Sequence, residues 1–189
     1  MARDERPQPI QQAVAGRNRA LDGLLHQSPD GKFAMISVRD ATLADAESIA
    51  RLVNAAFLVE RFFIERDRTN PETVRGLMSK GKFLLAEDEL GLIGAIYVEL
   101  RGERGYFGML SIEPSRQQMG VGHRLADAAE KYFREAGCRW SDLKIVDVRP
   151  ELLELYRRWG YRETGTARYD DPAPTKVAVQ FILMSKPLV

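Results

Sequence analysis

The chain has 189 residues, 44% of them hydrophobic and 29% charged, an ordinary globular composition with room for one large domain or a domain with an extension. Its 28 Lys and Arg against 27 Asp and Glu leave a formal net charge of +1, so no global field draws it to nucleic acid or to an anionic membrane. One cysteine, Cys138, and two histidines, His26 and His123, exclude an internal disulfide and argue against a metal centre built from these residues.

No apolar run approaches the roughly 20 residues of a membrane span. No secretory or transit pattern is visible at the start, where Asp4 and Glu5 sit, and the expected setting is the reducing cytoplasm. Residues 1–32 read as a tail. It is either disordered or holds one helix, with Ile10, Val14, Leu21, Leu24 and Leu25 on one face. The turn signal Ser28-Pro29-Asp30-Gly31 closes it, and residues 33–189 are expected to form the domain.

From Phe33 onward strands and helices alternate. Phe33–Val38 reads as a short strand. Thr42 and Asp45 have the spacing of a capping box ahead of a helix whose apolar face is Ile49, Leu52, Val53, Ala56 and Phe57. Asn70-Pro71 marks the cap and first position of a second helix through Met78. Strands follow at Lys82–Glu87 and Leu92–Leu100, the latter apolar enough to be buried on both faces. A hairpin turn at Gly102-Glu103-Arg104-Gly105 makes Tyr106–Ile112 antiparallel to its predecessor. A long amphipathic helix then ends near Gly137, followed by strand Leu143–Val148 and a helix stopped at Gly160. Strands Tyr161–Thr164 and Val177–Ser185 close the chain. The order β-α-α-β-β-β-α-β-α-β-β predicts an α/β fold with a mixed, mostly antiparallel central sheet flanked by helices.

Chemistry concentrates between Leu110 and Gly122. A strand ends at Ile112, Pro114 breaks pairing, and a glycine-bearing loop opens the long helix. The first amides of a helix are unpaired and carry partial positive charge. Gly120 and Gly122 would let phosphate oxygens reach them. His123 and Arg124 place basic groups in the first turn, where the dipole alone disfavours them and a bound anion would favour them. The segment lacks the Gly-Lys-Ser/Thr ending of a P-loop and the downstream acid of a dinucleotide fingerprint.

The full spacing, Ile112-x-Pro114-x-x-Gln117-x-x-Gly120-x-Gly122, resembles the acetyl-CoA loop of the GNAT superfamily of N-acetyltransferases. Leu155-Tyr156-Arg157-Arg158-Trp159-Gly160-Tyr161 resembles that family's second signature, an aromatic-bearing helix ending in Gly and an aromatic residue. Both occur in the family's order, and the strand and helix pattern matches from Phe33 to Pro187. The resemblance implies an acyl-CoA N-acyltransferase fold with a V-shaped cleft between the fourth and fifth strands, those ending at Ile112 and Val148. It implies acetyl-CoA as co-substrate, with no metal. Leu110, Ser111 and Ile112 would bond the acetyl and pantetheine groups through their backbones. Gln117, Gln118, Met119, Gly120, Val121 and Gly122 would hold the pyrophosphate, with His123 beside them. By spacing alone, Tyr156 shares a helical face with Leu152 and Trp159 and fits core packing; the matched motif makes it the general acid for the leaving thiolate.

Three positions depart from the family pattern. Arg149 stands where a cofactor-binding Asn is common and would meet a phosphate or a carboxylate instead. Tyr106 and Lys144 stand where catalytic Glu residues occur in other members. A proton acceptor is still needed, because an ammonium must lose a proton before attack. Glu60, Glu65 and Asp67 in the segment between the first two helices, or a water chain, are the candidates for meeting the substrate amine. Arg61, Arg66 and Arg68 in the same segment balance those acids and would equally grip a carboxylate, and a solvated charged loop with neither role fits the segment as well. The expected partners are a small-molecule amine or a peptide or protein amine, with the tail and sheet edges open to homodimer formation and no nucleic acid or membrane involved. The competing reading is a non-catalytic acyl-CoA-binding sensor or interaction module on the same fold.

Overall fold

The computed structural model describes residues 25–27, 33–170 and 173–188. The helix expected in the tail lies outside the described residues, except that Leu25 begins a strand. That strand, β1 (Leu25–Gln27), pairs antiparallel with β2 (Phe33–Met35) as a separate two-stranded ladder. The single strand expected over Phe33–Val38 is thus divided. At Ile36, buried in the main core at 6% exposure, the chain changes ladders and continues as β3 (Ser37–Asp40) beside another partner.

The main sheet has seven strands in the order β3-β4-β5-β6-β7-β9-β8. They are β4 (Lys82–Asp88), β5 (Gly91–Arg101), β6 (Arg104–Ile112), β7 (Trp140–Val146), β8 (Arg162–Arg168) and β9 (Gln180–Pro187). Every pairing is antiparallel except β6 with β7. Among the described residues four helices flank it: α1 (Ala46–Ala56), α2 (Pro71–Met78), α3 (Val121–Glu135) and α4 (Pro150–Arg158).

Strand alternation divides the interior between the two faces. Along β4, Phe83 and Leu85 join Ile49 and Val53 of α1 and Val74 of α2. Leu84 and Ala86 face the opposite core, with Leu125 and Phe133 of α3. Residues Ile93 to Val98 of β5 are all buried, as their unbroken apolar run required. Local signals hold the helix starts: the Thr42–Asp45 capping box forms ahead of α1, and the Asn70 side chain accepts the Thr73 N–H at 2.8 Å. At Gly105 a Cβ would lie 2.1 Å from the Phe133 ring, so only glycine lets α3 lie this close to β6.

Candidate active site between the splayed strands

The site begins where a ladder stops. Strands β6 and β7 pair only from Arg104 opposite Trp140 to Tyr106 opposite Asp142. Beyond that point they diverge, and residues 107–112 of β6 have no ladder partner on that side among the described residues. The opening is a V-shaped cleft of about 690 Å³ whose walls include Phe107, Leu110 and Ile112 of β6 and Leu143, Ile145 and Val146 of β7.

Strand β6 is also irregular inside the cleft. Its register against β5 shifts between the pairs Ala95–Ser111 and Tyr97–Gly108, which inserts one extra residue in β6. Met109 adopts φ +51° there, a left-handed conformation that costs a non-glycine residue free energy. A bulge of this kind turns backbone groups out of the ladder direction, here beside the cleft. The second such residue is Gln118, at φ +65° in the loop that enters α3. Both positive-φ non-glycine residues among the described residues therefore belong to this site.

Gly120 caps α3 at φ +77°, a conformation open to glycine without strain, with nothing within 4 Å of where a Cβ would sit, and no side-chain cap bonds the first-turn amides of α3. Gln117, Gln118, Gly120, Val121, Gly122 and His123 all line the cleft. His123 stacks near Trp159, with ring centroids 5.0 Å apart, and its Nδ1 lies 3.5 Å from Asp127. Arg116 lines the same end, tied by a 3.0 Å ion pair to the buried Asp88, which fixes the loop to the end of β4. Ser111 and Met119 do not line the cleft. The Ser111 hydroxyl donates to the Met109 carbonyl at 3.0 Å, and Met119 packs against the main core.

Tyr156 projects from α4 into the floor at 6% exposure, between Phe107, Trp159 and Tyr161. Its hydroxyl bonds no described residue and borders the cleft. Burial, helped by the neighbouring Tyr106, pushes the phenol above its ordinary value, and Arg149 partly offsets this. It is therefore a neutral O–H donor throughout the physiological range.

Of the three acidic candidates, the structure brings only Glu60 to the cleft. It sits in the 3-10 turn Phe57–Phe62 after α1, at 5% exposure. Burial raises its pKa, and the charges of Arg68 and Arg149 work against that rise. Glu65 instead pairs with Lys176 at 3.1 Å and Asp67 with Arg61 at 2.7 Å, both exposed and outside the cleft. Arg149, at the start of α4, lines the cleft with its guanidinium already engaged by Glu60 at 3.5 Å and by Glu151. Tyr106, Lys144, Arg68 and Arg158 also line it. The sequence marks Tyr106 and Lys144 only as departures from the family pattern and carries no signal for Arg158. Arg68 stood among several arginines, with nothing local to mark which one turned inward. Among the described residues no group of His, Cys, Asp and Glu side chains is arranged to hold a metal, and no helix is long and apolar enough to cross a membrane.

Known proteins resemble this chain in sequence and fold. The mycothiol acetyltransferase of Propionibacterium freudenreichii subsp. shermanii is 27% identical over 132 residues, which cover 65% of this chain and 41% of that protein. The chain thus spans about two fifths of the length of that curated relative. The crystal structure of the ribosomal-protein-S18-alanine N-acetyltransferase from Escherichia coli superposes with a TM-score of 0.67 at 14% identity, covering 82% of this chain and 94% of that one. The PaiA N-acetyltransferase from Thermoplasma acidophilum, solved in complex with coenzyme A, gives 0.67 at 17% identity, covering 80% and 98%. At these identities the likeness is one of fold. The family model of the acetyltransferase (GNAT) domain matches residues 50–174, from α1 past the last residues of the cleft wall on β7 and α4, and this chain belongs to the GNAT superfamily of acetyltransferases.

Proposed function

We propose that the protein transfers an acetyl group from acetyl-CoA to a primary amine by direct attack within a ternary complex. The observation that carries this reading is the juxtaposition, in one cleft, of an uncovered helix start, a buried neutral phenol and a buried carboxylate. The cleft fits the co-substrate by its own chemistry: Gly120 leaves the first amides of α3 open to a pyrophosphate, and the unpaired edge of β6 offers N–H and C=O groups to an amide-bearing arm. Leu110 and Ile112, with Gln117, Gln118, Gly120, Val121, Gly122 and His123, would hold it, and acetyl-CoA would supply the activated thioester. The domain is the unit 33–189 with residues 1–32 appended, working in the cytoplasm.

In this reading the chain makes three contributions. Backbone amides of β6 near the Met109 bulge face the thioester carbonyl, where attack builds negative charge that fixed donors stabilise. Tyr156 donates its proton to the departing thiolate, and burial keeps the phenol protonated, with a proton to give, over the whole physiological range. Glu60 meets the substrate ammonium and takes its proton, and burial makes it a stronger base than an exposed carboxylate. The names of the relatives support acetyl transfer while pointing to different acceptors.

Coenzyme A release from acetyl-CoA, followed across a panel of amines, tests the reading. Amine-dependent release is the expected result, with acetyl-CoA alone raising Tm through binding. Micromolar acetyl-CoA binding without turnover on any amine would instead favour a sensor on the same fold.

A further inference from the structure

The cleft holds an arginine, Arg68, with no ion-pair partner among the described residues. Of the cleft-lining basic residues, Arg116 faces Asp88 at 3.0 Å, Lys144 faces Asp170 at 3.3 Å, and Arg149 lies between Glu60 and Glu151. Arg68 is half-buried in the same cleft and forms no ion pair or hydrogen bond with any described residue. Its guanidinium carbon lies 5.3 Å from the centroid of the Phe57 ring, which supports it from below. Its charge acts on both Glu60 and Tyr106.

The anionic end of CoA does not account for this residue. Tyr106, which feels Arg68, is near the start of β6, and Ile112, beside the α3 loop, is at its end. At roughly 3.3 Å per residue they stand about 20 Å apart. Arg158, the other cleft-lining arginine without a carboxylate among the described residues, precedes Trp159, whose ring lies 5.0 Å from that of His123 at the α3 end, where phosphates would lie. Partial burial of an unpaired guanidinium is unfavourable, and its planar fork matches a carboxylate.

We propose that Arg68 binds a carboxylate of the acceptor, so that the substrate is an amine carrying an acid group, of the amino-acid class. Glu60 and Arg68 lie on one stretch of chain between α1 and α2 and present opposite charges to one cleft, the complement of an ammonium and a carboxylate on one molecule. This rests on the transferase reading above and specifies its acceptor.

The test compares coenzyme A release for free amino acids, their amides, the matching amines without the carboxyl group, and short peptides with an acidic first residue. Wild type, Arg68→Ala and Arg68→Glu are assayed, with Tm of the CoA-bound proteins read in parallel. Wild type is expected to favour acid-bearing acceptors by about 10–100-fold in kcat/KM, the size of a charge-assisted contact. Free acids and acidic peptides distinguish the source of the carboxylate. Arg68→Ala should raise KM for the acid far more than for the amide, and Arg68→Glu should reverse the preference. Equal rates on acid and amide, or an equal loss on all acceptors in Arg68→Ala, would overturn the proposal while amine-dependent release left the transferase reading intact. If no acceptor turns over, amino acids must still raise Tm of the CoA-bound wild type and not of Arg68→Ala; no such difference overturns the proposal as well.

Discussion

Tyr156 and Glu60 are both pushed upward in pKa by burial, with opposite consequences for what each does. A phenol raised this way stays protonated and keeps a proton to give; a carboxylate raised this way binds a proton more readily once ionised. Activity should therefore increase with pH as Glu60 ionises, along a limb whose midpoint lies above the ordinary Glu value of about 4.3. Glu60→Gln should remove that limb and lower kcat by about 10²-fold or more, measured as a pH profile of CoA release. The same raised pKa means the folded state holds the Glu60 proton more tightly than the unfolded chain, so its ionisation weakens folding as pH rises. Glu60→Gln is thus expected to raise Tm near neutral pH, with the gain fading toward pH 4. A lower Tm at both pH values would mean that the Arg149 pair outweighs burial. Tyr156 was legible in the sequence because its motif is contiguous. Glu60 could not be separated from Glu65 and Asp67, since what distinguishes it is burial against α4, a contact between distant segments.

Two glycines and one bulge set how the elements meet. Gly105→Ala would drive a methyl group into the Phe133 ring, so α3 must shift off the sheet. The expected loss is about 1–3 kcal/mol of stability by chemical denaturation. Gly120→Ala meets no neighbour but forces a side chain into φ +77°, a strain of about 1–2 kcal/mol at the start of α3. Its effect should appear chiefly as a higher KM for acetyl-CoA, with kcat changed less. Element type and order were readable because amphipathic periods and caps are local, as the Asn70–Thr73 bond and the run from Ile93 to Val98 illustrate. The Met109 bulge and the change of ladder at Ile36 were not. Both depend on which distant strand supplies the hydrogen bonds, and nothing in an apolar run specifies that.

Across the molecule, a V-shaped cleft needs its two arms tied together below the opening. Helix α3 packs on β5 and β6, whereas β7, β9 and β8 form the other arm. A buried polar clasp joins them: the Tyr161 hydroxyl donates to Glu130 of α3 at 2.9 Å and meets Ser141 of β7 at 2.7 Å, and Lys186 of β9 reaches Glu130 at 2.8 Å. Tyr161→Phe leaves the Ser141 hydroxyl without that partner and should cost about 1–3 kcal/mol in denaturant unfolding. Held in this way, the arms keep Tyr156 in the cleft that the start of α3 and Glu60 also line. The central claim is that this phenol protonates the leaving thiolate. Its most direct test is Tyr156→Phe, with kcat for CoA release and acetyl-CoA affinity by calorimetry measured on the same preparation. The account predicts a kcat lower by about 10²–10⁴-fold with affinity unchanged; an unaltered kcat would contradict it.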